Sequence, residues 1–441
     1  MASEARDSIG DPRQILGTRR MTLPQYAVIG LCVLINMIDG YDILALAQAG
    51  SALKREWGLS DAALGTLLSM NLVGMALGAL GVSPVADQWG RRPAILSSLV
   101  FMSVGMALSA MSDGFYSMAA GRIVTGIGIG GMTSTAGMLA LEYAHFKRRE
   151  FASSCVASAY PVGTIVGAYV AVLVLDSYGW RGIFWVGSGL SLALFPIAFL
   201  YLAESLDFLL ARQPKNAIAR TNAMLRRMAI PEIAALPPKP EGARDAVLAE
   251  IAQPFHVKEL LKLFLAHALN MFAWYFIINW GPPLVSQLAA DDKAGALYSS
   301  WVSYGGIAGG LAGGFLCGVW GVKRMMWTTM LSLAALVALF GQFAGNQQAL
   351  WVIAPLMGAM LFGSATANWL TIAYAFPPQL RATGLGFGTT AGRVGAVFGP
   401  IVGGSLLDDG LGVGLVCAIM AIPAVLSATI FNFARRIAPG R

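Results

Sequence analysis

This 441-residue sequence predicts an all-α membrane protein, with twelve transmembrane helices in two six-helix halves and both termini in the cytoplasm. Three observations lead there. Charged residues make up only 12% of the chain against 56% hydrophobic, where soluble domains carry about 25% charged residues. Apolar runs of about 20 residues, enough to cross a bilayer, recur twelve times between short polar breaks. The basic residues are sorted between alternate breaks.

The runs fall at 26–50, 62–85, 94–111, 116–141, 152–175, 182–203, 260–288, 297–320, 325–343, 350–375, 383–407 and 411–433. The first is too long for a cleavable signal, and no small-residue cleavage site follows a short apolar region. With both ends inside, 24 of the 30 Lys and Arg residues lie on the inner side, and four, Lys54, Arg55, Arg181 and Lys293, on the outer. That split obeys the positive-inside rule. The net charge of +7 therefore reports topology, and no nucleic-acid partner is expected.

The chain divides into a cytoplasmic N-tail (1–25), a first bundle (26–203), a cytoplasmic linker (204–258), a second bundle (259–433) and a cytoplasmic C-tail (434–441). The linker announces itself by composition, ESLDFLLARQPKNAIARTNAMLRRM followed by the Pro-rich PEIAALPPKPEGAR, and short surface helices are expected in it. Cys32, Cys155, Cys317 and Cys417 lie within runs, without CxxC spacing or a nearby His cluster. They read as small core hydrophobes, and no metal site is expected.

Six runs on either side of the linker suggest an internal repeat. Gly90 precedes Arg91 and Arg92 after the second run, and Gly321 precedes Lys323 and Arg324 after the eighth, an offset of 231 (321 − 90). Gly163 and Gly167 match Gly395 and Gly399 at 232 (395 − 163). Many of the 52 glycines sit at small-xxx-small spacing, as in GRIVTGIGIGGM and GGIAGGLAGGF. Such spacing lets helices approach closely in lipid, where packing replaces the hydrophobic drive.

Few clear charges remain inside the runs: Asp39 and Asp42 in MIDGYDILAL, Arg122 in the fourth run and Arg393 in the eleventh. Each costs at least about 2.5–3.5 kcal/mol at a helix centre, so each needs a partner or a watery cavity. Asp39 and Asp42 are three apart and share a helix face. Two carboxylates that close in a low dielectric resist being ionised together, which suits one of them to carry a proton. Arg122 lies at a depth similar to that of Asp42. Each arginine suits either a bidentate grip on a substrate carboxylate or an ion pair between helices, and the sequence leaves both open. His267, alone among its kind inside a run, reads as a hydrogen-bonded packing residue. Asn270, Trp274, Tyr275, Asn279 and Trp280 in the seventh run, with Asn368, Trp369 and Tyr374 in the tenth, are candidates for an aromatic-compatible wall.

SPVADQWGRR, with two six-helix halves and a basic central loop, resembles the major facilitator superfamily, whose loop signature reads GxxxDRxGRR. Asp87, Gly90, Arg91 and Arg92 match it, while Ser83 and Gln88 replace its first Gly and first Arg. In the second half Gly318 stands where an Asp is possible, which makes any gate there asymmetric. DGYD at 39–42 is similar to the DGxD of the aromatic acid:proton symporter family. The resemblance continues through GRIVTGIGIGG, GWRGIFWVG, ES at 204–205 and RATGLGFGTTAGRVGAVFGPIVGG.

The resemblance implies proton-coupled import of a small aromatic or related cyclic carboxylate, such as a hydroxybenzoate, by alternating access in a bacterial cytoplasmic (inner) membrane. It makes Asp39 and Asp42 the proton-coupling residues. It makes Arg122, Arg393, Glu142 and Arg381 positions that matter for transport, the last two assigned to gating, and likens Asp87, Gly90, Arg91 and Arg92 to the family's cytoplasmic gate. In the expected mechanism Arg122 or Arg393 holds the carboxylate, and Trp274, Tyr275, Asn279, Asn368 and Trp369 of the seventh and tenth runs are the candidate wall for the ring. Protons are the coupling ion, no other cofactor is expected, and the working unit is expected to be a monomer. A proton antiporter exporting drugs or metabolites is the rival within the fold, weakened by two intramembrane arginines that disfavour a cationic substrate. An enzyme is not expected, because HExxH and GxSxG are absent.

Overall fold

The computed structural model describes residues 12–236, 254–375 and 381–433. Among these residues the chain is helical, and its fourteen α-helices are α1 (Pro12–Thr18), α2 (Leu23–Trp57), α3 (Asp61–Trp89), α4 (Arg91–Ala110), α5 (Phe115–Tyr143), α6 (Arg149–Tyr201), α7 (Leu206–Arg212), α8 (Ala217–Arg227), α9 (Pro254–Ala289), α10 (Asp292–Trp320), α11 (Val322–Phe343), α12 (Gln347–Ala375), α13 (Arg381–Asp408) and α14 (Val413–Phe433).

Ten segments among the described residues are long and apolar enough to cross a membrane. One is double: α6 has 53 residues with a non-helical break at Gly179. At 1.5 Å per residue it measures about 80 Å, far beyond a hydrocarbon core of about 30 Å. Where the sequence suggests a loop between 175 and 182, the helix runs on, and a single glycine at φ +62° turns the chain back.

Local chemistry fixes the ends. Before α2, Thr22 and Gln25 form a capping box, and Gly58 closes the helix in the left-handed conformation with its N–H on the Lys54 carbonyl. Ser60 caps α3 through its hydroxyl. Gly90 (φ +112°) and Gly321 (φ +84°) make the equivalent corners between α3 and α4 and between α10 and α11. A side chain is strained at either.

Within the first group, α2–α8, α3 and α4 pack on α5, and α2 and α4 on α6; in the second, α9–α14, α10 and α11 pack on α12, α9 on α13 and α11 on α14. The glycine contacts repeat in the same way. Gly163 abuts the Met37 carbonyl and Gly395 the Ala268 carbonyl, offsets of 232 (395 − 163) and 231 (268 − 37). Gly126 on Asn71 and Gly74 on Ile123 recur as Gly358 on Val302 and Gly305 on Pro355. In each pair a Cβ would collide with backbone, which a flexible side chain cannot relieve. Cys32, Cys317 and Cys417 are buried and Cys155 half-buried, all as free thiols.

Gly163→Ala is expected to destabilise the protein by about 1–3 kcal/mol, and Gly189→Ala, whose Cβ meets nothing within 4 Å, to leave it unchanged. Thermal unfolding of the detergent-purified protein reads both.

Candidate functional site

The two helix groups touch at one end and at mid-depth. Near the Gly58 corner, Arg55 of α2 pairs with Asp292 at the start of α10, and Lys293 pairs with Asp176 of α6. Deeper in, the Ser69 hydroxyl of α3 donates to the Val397 carbonyl of α13 at 2.7 Å. Thr164 and Tyr169 of α6 bond the hydroxyls of Ser303 and Tyr304 of α10, the tyrosine pair at 3.1 Å. Gly65 lies against Pro400 and Gly404.

At the Gly90 end a set of bonds joins residues of the first group to one another. Arg91 pairs with Glu142, and Ser205 donates to the other Glu142 oxygen at 2.5 Å. The Glu204 Oε1 accepts the backbone N–H groups of Arg91 (2.7 Å), Arg92 (3.2 Å) and Ser205 (2.9 Å). Gly90 is required here because a Cβ would strike the Glu204 carboxylate. Asp87 and Arg381 lie on described helices, but their side chains, like that of Tyr374, lie outside the described residues.

Between these ends sit the intramembrane charges, and the two aspartates part company. Asp42 is wholly buried inside the first group, its carboxylate against Gly187 of α6. Neither of its oxygens has a hydrogen bond. Arg122, also 0% exposed, donates from Nη2 to the Asp42 backbone carbonyl at 2.8 Å and from Nη1 to the Met106 sulfur at 3.2 Å. Its guanidinium lies over the Phe184 ring at 5.7 Å. The pairing open to Arg122 and Asp42 in the sequence is thus made through the backbone, with the carboxylate close enough only for a through-space attraction.

Asp39, one turn earlier, faces the other group. Its Oδ2 accepts from Thr133 of α5 at 3.4 Å, and Oδ1 has no partner. Arg393 of α13 is the cation in electrostatic reach of Asp39, and Tyr275 of α9 adjoins them both. Beside them lies a cluster of rings from both groups: Tyr160 of α6 to Trp274 at 6.5 Å and to Phe362 of α12 at 6.1 Å, Trp274 to Phe362 at 5.7 Å and to Tyr275 at 4.8 Å. The Tyr160 hydroxyl, the Trp274 indole N–H, the Arg393 Nε and both amide atoms of Asn270 are buried without a protein partner.

The other candidates stand apart from this cluster. Asn279 returns its amide to the Tyr275 carbonyl on its own helix at 3.0 Å. Asn368 bonds His267, whose ring packs on Gly392, so His267 is a bonded packing residue. Trp369 is 54% exposed and, among the described residues, joins none of the ring contacts. Tyr160, Phe362 and Thr133 have no signature in the sequence, because an aromatic or hydroxyl residue in an apolar run carries no mark of the direction it faces.

A bilayer-length helical bundle with opposed charges buried between two similarly packed groups is the architecture of a carrier. The model of the Major Facilitator Superfamily matches residues 29–373 and 263–440. The chain belongs to the Major Facilitator Superfamily. It is a multi-pass membrane transporter and not an enzyme. The gallate transporter of Pseudomonas putida is 27% identical over 95% of this chain and 93% of its own. The 4-hydroxybenzoate transporter PcaK of Acinetobacter baylyi is 26% identical over 95% and 93%, and the benzoate transport protein of that organism 27% identical over 95% and 91%. Among solved structures, the xylose transporter XylE from E. coli superposes with a TM-score of 0.72 over 94% of this chain and 98% of its own, at 17% identity. In this facilitator chain the facing hydroxyls of α6 and α10 are close enough to be joined. With the four native cysteines replaced, Thr164→Cys with Ser303→Cys is expected to form a disulfide on oxidation, detectable as a cross-linked peptide by mass spectrometry. Ser103→Cys with Ser303→Cys serves as the control that does not.

Proposed function

We propose that this facilitator imports a small aromatic carboxylate together with protons across a bacterial cytoplasmic membrane, by alternating access of two six-helix halves. The observation that carries this reading is that Arg393 and Asp39, from opposite helix groups, lie within electrostatic reach of one another and of Tyr275, whose neighbour Trp274 belongs to the Tyr160–Trp274–Phe362 ring cluster. An aryl ring needs apolar walls and its carboxylate a forked cation, and the two stand next to each other here. The names of the relatives, carriers of gallate, 4-hydroxybenzoate and benzoate, support the same class.

Twelve crossings belong to this reading, supported by ten candidate spans, the doubling of one of them at Gly179, and the 28-residue α13. The excess of Lys and Arg on the Gly90 side supports a cytoplasmic position for that end. The Arg55–Asp292 end is external in this reading.

Of the two arginines, Arg393 is the substrate ligand in this reading, since both terminal nitrogens of Arg122 are bonded inside the first group, where Arg122 is wholly buried. Arg393 serves Asp39 until a carboxylate arrives and claims the guanidinium. Asp39, its countercharge withdrawn in a low dielectric, takes a proton. Carrying that proton spares the anion an electrical penalty of about 2.3 kcal/mol per charge per 100 mV. Asp42, held by Arg122, keeps the neighbouring turn of α2 in register. The monomer is the proposed working unit, as all of these groups come from one chain.

Uptake of labelled 4-hydroxybenzoate by cells carrying the gene tests the reading. Uptake is expected to collapse with a protonophore and in Asp39→Asn. Arg393→Ala is expected to weaken half-saturation by about two orders of magnitude, the cost of removing a charged partner from a buried contact. Uptake that ignores the protonophore, or survives Arg393→Ala unchanged, contradicts it.

A further inference from the structure

At the Gly90 end, away from the transport site, the first helix group carries a groove of about 410 Å³ between α8 and the ends of α4 and α6. Three guanidiniums line it, those of Arg92, Arg220 and Arg227. Its other boundary is apolar: Phe199 and Leu200, the latter 64% exposed, continue the outward-facing surface of the last turns of α6. A groove that is basic at one edge and opens onto a lipid-facing helix surface at the other has the amphipathic character of a phospholipid at the membrane boundary.

The charges are arranged for an anion. Arg92 is fixed by a bond from Nη2 to the Phe199 carbonyl at 2.6 Å and lies over the Phe199 ring at 5.2 Å. Arg220 and Arg227 project from α8 beside Met224, which forms part of the groove floor, while Thr221 and Leu225 on the adjoining face are buried against the bundle. The acid in the groove, Glu204, is engaged through Oε1 by three backbone N–H groups and lies 3.9 Å from Arg220. Three cations against one carboxylate, whose Oε2 lies nearest Arg220, leave an excess of positive charge, matched by a phosphodiester. Arg226, on the same helix, is paired with Glu232 at 3.1 Å and does not line the groove.

We infer that this groove binds the headgroup of an anionic phospholipid, with one acyl chain lying along Phe199 and Leu200. Amphipathic helices with arginine on the polar face bind anionic bilayer surfaces, and basic pockets beside transmembrane helices hold anionic headgroups. The site seats α8, and with it the start of the linker, on the membrane surface. It does not depend on what the transporter carries.

Native mass spectrometry of the full chain, titrated with phosphatidylglycerol, phosphatidylcholine or inorganic phosphate, tests the inference. Phosphatidylglycerol is expected to bind in preference to phosphatidylcholine, and phosphate alone is expected not to compete. Each juxtamembrane arginine contributes a factor of about five in affinity, so Arg220→Gln with Arg227→Gln is expected to weaken phosphatidylglycerol binding by about 30-fold. Arg226→Gln is expected to bind as the unmodified chain does. Should the double variant fold poorly, Arg227→Gln alone and the loss of binding with rising salt in the unmodified chain give the same reading. Equal affinity for the two lipids, protection by phosphate alone, or wild-type affinity in the folded variants overturns it.

Discussion

A carboxylate inside a bilayer has to be answered by a cation, by water or by a proton, and the rest of this structure is arranged around that constraint. Asp39 lies within electrostatic reach of Arg393 on the opposite helix group, without a direct ion pair between them. The two groups are joined, among the described residues, by contacts from mid-depth to the Arg55–Asp292 end. In the proposed mechanism, competition for a single guanidinium gives the site its logic: a substrate anion that takes Arg393 leaves Asp39 without its cation, and protonation is the remaining way to bury it.

The two acids of DGYD do different work despite sharing a helix face. Asp42 is enclosed with Arg122 among Met106, Phe184 and Gly187 of the first group alone, a buried charge cluster whose members are costly to remove singly. Asp39 lies where the groups meet. The surrounding glycines make this possible: Gly40 abuts the Tyr160 carbonyl and Gly163 the Met37 carbonyl, which draws α2 and α6 together and carries the Tyr160 ring beside Asp39. Close backbone packing, bought with glycine, is what places an aromatic residue of one group against Trp274 and Phe362 of the other.

Much of this was legible in the sequence, because a bilayer makes polar residues conspicuous. The four buried charges were visible as exceptions to apolar runs, and the glycines repeated at an offset that their backbone contacts now explain. The pairing of each charge was not legible. Asp39 and Arg393 come within reach only through the way two groups assemble, and Arg122 answers Asp42 through a carbonyl that every residue possesses. Tyr160 and Phe362 were hidden for a related reason, since orientation in an all-apolar helix has no period against a lipid background. Trp369 was overvalued on the same ground, and the structure shows it exposed instead of in the ring cluster. Glu204 was visible only as half of an ES dipeptide, and its grip on the backbone of the Gly90 corner required coordinates.

Exchange of Arg393 between Asp39 and a substrate carboxylate is the centre of the account, and proton uptake on binding measures it most directly. Titration calorimetry of the purified protein with 4-hydroxybenzoate at neutral pH, repeated in buffers of different ionisation enthalpy, counts protons taken from solution as the anion binds. The account predicts uptake approaching one proton per anion bound in the unmodified chain, and none in Asp39→Asn. Binding without proton uptake in the unmodified chain, or uptake that persists in Asp39→Asn, would contradict it.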